Sequence, residues 1–517
     1  MSSNIKKGSD IETLKISKYL IELEMTAKIN EKEEFRKGLG LISYIPSKKI
    51  KALITYNHII NLDILNKGKK LILNIKREKK ELDMKINRYK YTNTDLDITI
   101  IEILEIDNIN DFIELDKSIG SRNYVDNDII SLSLKENKEI KSSFGKVKEK
   151  INDNYICSIE SKKEGFIILK ESYKFIGMIK GNSDKEELEF IPINIIINKI
   201  NFIKCIYEIK KDDIGKDIQI INKEILISGD GNEEILKEIK VIINGETKSN
   251  IFTNKFYIED NYIIYFLFDN LLTDASCMFN DCTLLKEINF SSFDTSQIKY
   301  MQCLFQNCSS LEQLDLSPFD TSQVTNMASM FKQCSSLKKL DLTSFNTNKV
   351  NNMVFMFEQC TSLKELNLQT FNTSQVNSMA NMFSDCSSLE QLNLSSFNTN
   401  KVTSFSSMFS NCSSLKKLNL SSFSSNQVEN MMYMFQNCQS LQELDLSTFN
   451  TNNVTDMTGM FGNCSSLKKL NLSSFNSDKV KDMMIIFKSI KKSCKIKCKD
   501  KRILEEFKKE TGGCTII

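Results

Sequence analysis

One spacing constrains the second half of this 517-residue chain more than anything else in it. Cys282, Cys308, Cys334, Cys360, Cys386, Cys412, Cys438 and Cys464 recur every 26 residues with no insertion or deletion. Phe279, Phe305, Phe331, Phe357, Phe383, Phe409, Phe435, Phe461 and Phe487 keep the same period. So does a Leu-x-x-Leu-x-Leu core such as Leu337, Leu340 and Leu342, followed by Phe345, Val350 and Met353. A fixed period of this length is the mark of a solenoid, whose units are too small to bury an apolar face except against their neighbours.

Within a repeat, Leu340 and Leu342 are two apart and share one face of a short strand. Val350, Met353, Met356 and Phe357 follow at i, i+3, i+6 and i+7, the spacing of one apolar face on a helical turn. Stacked copies therefore predict an α/β leucine-rich-repeat solenoid of eight repeats over 261–498, with a parallel sheet on one side and helical turns on the other. Ile264 and Leu267 read as a degenerate half-repeat capping its start; Ile496 and Cys498, with Ile490 in the Cys position, read as the cap at its end. One Cys per repeat in a solenoid without His predicts a buried ladder and no metal or cofactor site. Between the core Leu positions the strand residues face solvent. Asn289, Asp315, Asp341, Asn367, Asn393, Asn419, Asp445 and Asn471 mark the expected binding face for a protein or glycan partner, although a merely solvated face reads the same way.

The pattern Phe-x-x-Cys-Ser-Ser-Leu-x-x-Leu-x-Leu-Ser-Ser-Phe-Asn-Thr resembles the BspA-like leucine-rich repeats of bacterial and protist surface and interaction proteins. The resemblance implies binding or adhesion.

Charge is balanced, 69 basic residues against 67 acidic, so no overall field calls for nucleic acid as a partner. The richness in Ile, Lys, Asn and Glu reads as coding composition. Met1 to Asp10 is polar, no apolar signal core follows, and no stretch approaches the roughly 18 apolar residues of a membrane helix. The expected compartment is the cytosol, where the 15 Cys stay thiols.

Residues 1–34 predict an amphipathic helix through Ile16, Leu20, Leu23 and Ala27. Residues 35–200 read as short Ile-rich strands of a barrel or sandwich, and 201–260 as a small β-rich connecting module with hairpin signals at Asp230-Gly231 and Asn244-Gly245. Five segments in 35–200 follow, in order, the pattern of trypsin-like serine proteases. Gly38-Leu39-Gly40-Leu41 resembles the opening of the first barrel, and Thr55-Tyr56-Asn57-His58 the strand end bearing the catalytic histidine. Asp97-Ile98-Thr99-Ile100 resembles the aspartate strand; Phe175 to Ile179 and Ile191 to Ile193 resemble closing strands of the second barrel. The resemblance implies a double β-barrel with His58 and Asp97 as relic triad members. Its nucleophile falls on Glu164, within Lys162-Lys163-Glu164-Gly165, where a carboxylate repels a developing oxyanion and forms no acyl-enzyme. The expectation is a pseudo-protease.

The chain ends Cys514-Thr515-Ile516-Ile517 after two glycines, a C-a-a-X prenylation box on a tail, 499–517, expected to be flexible. One prenyl chain binds membrane only marginally, and Lys491, Lys492, Lys495, Lys497, Lys499, Lys501 and Arg502 supply a second, basic signal for an anionic leaflet. Together these features predict a non-enzymatic scaffold on the cytoplasmic face of a membrane. The alternatives are a divergent serine peptidase that selects substrate with its repeats, and a cell-surface adhesin.

Overall fold

Within residues 1–200 the computed structural model describes the strand residues named below and Asp107; beyond them it describes 201–223, 239–244, 246–249, 251–513 and 515–516. The chain forms two compact units. One comprises Met1–Phe202, Lys240–Lys248 and Ile264–Asp269; the other comprises Ile203–Ile239, Ser249–Ile263 and Asn270–Ile517.

The first unit is built of β-sheet. Strands β1 (Leu20–Ile29), β2 (Lys32–Ile45), β3 (Ile50–Tyr56), β4 (Gly68–Ile75), β5 (Glu78–Asp83), β6 (Lys90–Asn93) and β7 (Ile98–Ile103) join in the order β5-β4-β1-β2-β3-β7-β6, and β8 (Ile113–Glu114) pairs with β2. Strands β9 (Asp128–Leu134), β10 (Ile140–Ile151), β11 (Asn154–Ile159), β12 (Phe166–Leu169), β13 (Lys174–Ile179) and β14 (Glu187–Pro192) close into an antiparallel barrel. The segments expected to close a barrel do so: Gly177 on β13 lies opposite Pro192 on β14. Leu53, Ile54, Ile100 and Ile101 are buried where β3 and β7 pair.

The expected N-terminal helix is a strand. β1 pairs along its whole length with β2, Leu20 against Leu41 through to Ile29 against Lys32. Ile21, Leu23, Met25 and Ala27 alternate with Glu22, Glu24, Thr26 and Lys28, and this period of two puts Ile21 and Met25, which a helical face leaves out, on the same side as Leu23 and Ala27. Two residues, Asn30 and Glu31, separate the strands, and such a connection favours a hairpin.

Of the intervening stretch, β15 (Phe202–Ile209), β16 (Asp217–Gln219), β17 (Lys240–Ile243), β18 (Glu246–Ser249), β19 (Thr253–Lys255) and β20 (Asp260–Leu267) are strands. The solenoid follows with β21 (Leu285–Asn289), β22 (Gln313–Leu314), β23 (Lys339–Leu340), β24 (Glu365–Asn367), β25 (Gln391–Asn393), β26 (Lys417–Asn419), β27 (Glu443–Asp445), β28 (Lys469–Leu472) and β29 (Lys495–Cys498). Parallel ladders one period apart join β22 to β23, β24 to β25 and β26, and β27 to β28 and β29, as Leu366 with Leu392 and Leu392 with Leu418.

The helical turns do not form, so the solenoid is β-rich and not α/β. In the run Asn352–Cys360, the amides of Phe355, Phe357 and Gln359 bond to Ala380, Met382 and Ser384 of the next repeat. The amides between them bond three residues back, Met356 to Met353 and Glu358 to Phe355. Phe355 (φ 60°) and Gln359 (φ 59°) are left-handed, and the same pair of positions is left-handed in every repeat. Those reversals return Met353, Met356 and Phe357 to the core, which imitates helical spacing without an α-helix. Among the described residues the α-helix is α1 (Lys501–Thr511), beyond the repeats.

The caps differ from each other. At the start, β15 runs antiparallel to β21, Cys205 opposite Ile288, and so occupies the edge expected for the half-repeat at Ile264 and Leu267. At the end, Ile496 and Cys498 on β29 stand in register with Leu470 and Leu472, buried as expected, together with Ile490. Residues 499–513 are not the flexible tail expected of them. Ile503 and Phe507 of α1 are buried, Phe507 meets the last ring of the Phe ladder, Phe487, edge-on at 5.0 Å, and β30 (Thr515–Ile516) pairs with β29.

Candidate interaction surface

Three ladders hold the strands in place from behind. Phe rings stack repeat on repeat, Phe357 on Phe383 at 5.6 Å and Phe383 on Phe409 at 5.7 Å. From Cys308 to Cys464 each Cys donates its thiol to a Phe carbonyl of the preceding repeat, as Cys386 to Phe357 at 3.1 Å. Burial pushes the Cys334 and Cys386 thiols up to about 12, which keeps them protonated and unreactive at neutral pH. The third ladder is a row of buried hydroxyls: Thr295, Thr321, Thr347, Thr373, Thr399, Ser425, Thr451 and Ser477. The hydroxyl of Thr373 accepts from the Asn398 amide at 2.8 Å and donates to the Asn398 carbonyl at 2.9 Å. In the sequence this row is the Thr, or Ser, of the Phe-Asn-Thr segment at period 26.

In front lies the strand face. Asn289, Asp315, Asp341, Asn367, Asn393, Asn419 and Asp445 are exposed, and Asn471 is half-buried. Each also turns the chain as it leaves its strand. Asp341 accepts from the Thr343 amide at 2.9 Å, Asn393 from Ser395 at 3.1 Å and Asp445 from Ser447 at 2.9 Å. The Thr343 amide and hydroxyl hold the Asp341 carboxyl below the usual carboxylate range; the Ser447 hydroxyl and amide do the same for Asp445. Similar turns at Asp320, Asn346, Asn372, Asn398, Asn450 and Asn476 give the Asn-rich composition of the repeats a structural use.

The residue two before each Asn or Asp is free of the turn and varies: Glu287, Gln313, Lys339, Glu365, Gln391, Lys417, Glu443, Lys469. Opposite charges meet across repeats, Lys338 with Glu312 at 2.7 Å, Lys416 with Glu390 at 2.6 Å and Lys469 with Glu443 at 2.7 Å. From Lys339 to Thr448 this face lines a trough of about 1530 Å³ that includes Glu365, Gln391 and Asn419.

The basic cluster is dispersed. Lys495 and Lys497 project from β29 on the strand face, Lys491 and Lys492 precede that strand, and Lys499 and Lys501 flank the start of α1, all exposed. Arg502 is committed to the fold, its guanidinium donating to the carbonyls of Val480 at 2.7 Å and Ser477 at 3.4 Å. His58, Asp97, Glu164 and Cys514 lie outside the described residues. Among the described residues no helix is long and apolar enough to cross a membrane.

No curated protein matches the chain. In the N-terminal part there is a protease-like structural neighbour, the Rv3671c protease of M. tuberculosis. Its inactive form is 10% identical with a TM-score of 0.26, covering 35% of this chain and 86% of that one. Its active form is 10% identical with a TM-score of 0.27, covering 35% of this chain and 78% of that one. On the stretch where the repeats resemble BspA-like ones, residues 273–392, 341–442 and 391–497 each match the family model described as "Mycoplasma protein of unknown function, DUF285".

Proposed function

We propose that this chain is a non-enzymatic interaction protein that takes a protein partner on the strand face of its solenoid. The observation that carries the reading is the division of labour on that face. The Asn/Asp row is spent on turns, while the variable row beside it projects from the stacked parallel strands into an open trough. A rigid scaffold lets a surface bind without the entropic cost of ordering it first. Partners captured from a lysate by wild type should be lost with Glu365→Arg/Gln391→Arg and kept with Lys349→Glu/Lys401→Glu, which lie off the strands. Equal loss from both variants would sink the assignment of the face.

The N-terminal unit enters the reading as a pseudo-protease, on the strength of Glu164 standing where the trypsin-like pattern has its serine. The membrane tether rests on Cys514-Thr515-Ile516-Ile517, with the exposed lysines from Lys491 to Lys501 as its second signal. Against it stands the pairing of Thr515 and Ile516 with Lys495 and Ile496, which must open before a prenylating enzyme reaches the box. Expressed in a eukaryotic cell, the tethered chain sediments with membranes and Cys514→Ser does not; if both stay soluble, the tether is discarded.

A further inference from the structure

The strand face is not uniform along its length. In the earlier repeats some exposed charges are set against their opposites one repeat away, as Glu312 with Lys338 and Glu390 with Lys416, while Asp315 and Asp341 stand like against like. At the C-terminal end the like charges that meet are lysines. Lys495 lies in register directly across from Lys469, and Lys497 across from Asn471. Like charges opposed across a pair of strands repel. Lys468 and Lys417 add to the same end, where the acids are Glu443, paired with Lys469, and Asp445. Among the described residues Lys417, Lys495 and Lys497 form no ion pair, although Lys497 stands near enough to Asp445 to help lower its carboxyl.

Lysines often guard the open edge of a sheet against unwanted pairing. That account does not serve for β29, because β30 already occupies its outer edge. Nor do the lysines serve the end cap. Asp500, Arg502 and Phe507 do that, while Lys495 and Lys497 remain exposed on strand positions whose neighbours Ile496 and Cys498 are buried.

We infer that this end of the strand face, Lys417, Lys468, Lys469, Lys495 and Lys497, docks an acidic polypeptide segment. The inference rests on the strand-face reading and narrows it to a partner chemistry. Carboxylates laid across the lysines would relieve the repulsion between Lys469 and Lys495. Glu443 and Asp445, standing within the patch, disfavour a uniformly charged polymer such as a sulfated glycan, or a continuous anionic surface. A polypeptide spaces its acids and leaves gaps opposite those two carboxylates.

The full chain is titrated with a short fluorescein-labelled peptide of alternating Glu and Ser, and separately with a Lys-Ser peptide, heparin and phosphatidylserine vesicles. The Glu-Ser peptide should bind, weaken as salt rises, and lose about tenfold or more in affinity with Lys469→Glu/Lys495→Glu/Lys497→Glu. Lys349→Glu/Lys401→Glu should leave binding unchanged, and Lys495→Gln/Lys497→Gln should fall between. Failure of the Glu-Ser peptide to bind, or preference for heparin or vesicles, overturns the inference. Peptides of either sign binding equally, and both lost with Gln391→Arg, overturn it while leaving the strand-face reading intact. Binding indifferent to every strand-face variant removes both.

Discussion

The hydroxyl of Thr373 is completely buried, and both its hydrogen bonds reach the backbone of the next repeat. Valine has nearly the same shape, so Thr373→Val isolates the polar contribution. It leaves the Asn398 amide without its acceptor, and an unsatisfied buried donor costs about 1–3 kcal/mol. Denaturant unfolding should show that loss for Thr373→Val and a much smaller one for Thr373→Ser; a Val variant as stable as wild type would refute the ladder. Gly459 shows a second constraint at this scale. It is left-handed, at φ 58°, and an added Cβ would lie 2.5 Å from the Tyr433 ring, which covers it. Phe355, Tyr433 and Ile485 occupy equivalent left-handed positions, costly for bulky side chains.

At the scale of the element, the C-terminal helix ends the stack through one carboxylate. Asp500 accepts from the Ile503 amide at 3.0 Å, capping α1, and from the Ser477 amide at 2.8 Å and hydroxyl at 2.9 Å. It therefore takes the place that a following repeat would fill on the hydroxyl ladder. Burial alone would raise its pKa, but the bonds from Ile503, Ser477 and Arg502 outweigh that and hold it below the usual carboxylate value. A folded-state pKa below the unfolded one gives stability that is complete above the unfolded value and is lost as pH falls through the folded one. Melting curves of wild type should thus lose stability on acidification in a way that Asp500→Asn does not; parallel pH profiles would show that the carboxylate is not the clasp. The sequence made this element hard to read. Lysines and two glycines resemble a loose tail, and the order comes from the burial of Ile503 and Phe507, the latter against Phe487 of the final turn of the solenoid. β1 failed in the opposite way: Leu20, Leu23 and Ala27 sit at helical spacing, yet pairing with β2 selects the alternating set. The repeat strands were legible because their period is enforced at every copy, whereas a left-handed residue such as Gln359 leaves no trace in an apolar pattern.

At the scale of the molecule, a sheet-built N-terminal unit accompanies a stacked solenoid. The sequence made the repeats, their buried Cys row and their solvent face readable, but could not separate Asn side chains that turn the chain from side chains left available to a partner. The pseudo-protease reading makes a whole-chain prediction: a serine-reactive fluorophosphonate should leave the protein unlabelled, and labelling abolished by His58→Ala would establish a working peptidase. The solenoid's fixed register has a further consequence. Because the strands of Leu366, Leu392 and Leu418 match one for one, duplication or excision of a whole repeat preserves every ladder, and a partial one breaks them all. Unequal exchange between near-identical stretches of coding DNA is therefore tolerated in steps of one repeat. Each step lengthens or shortens the exposed face by one strand spacing, about 4.8 Å, so a lineage can adjust its reach in fixed increments without redesigning a core.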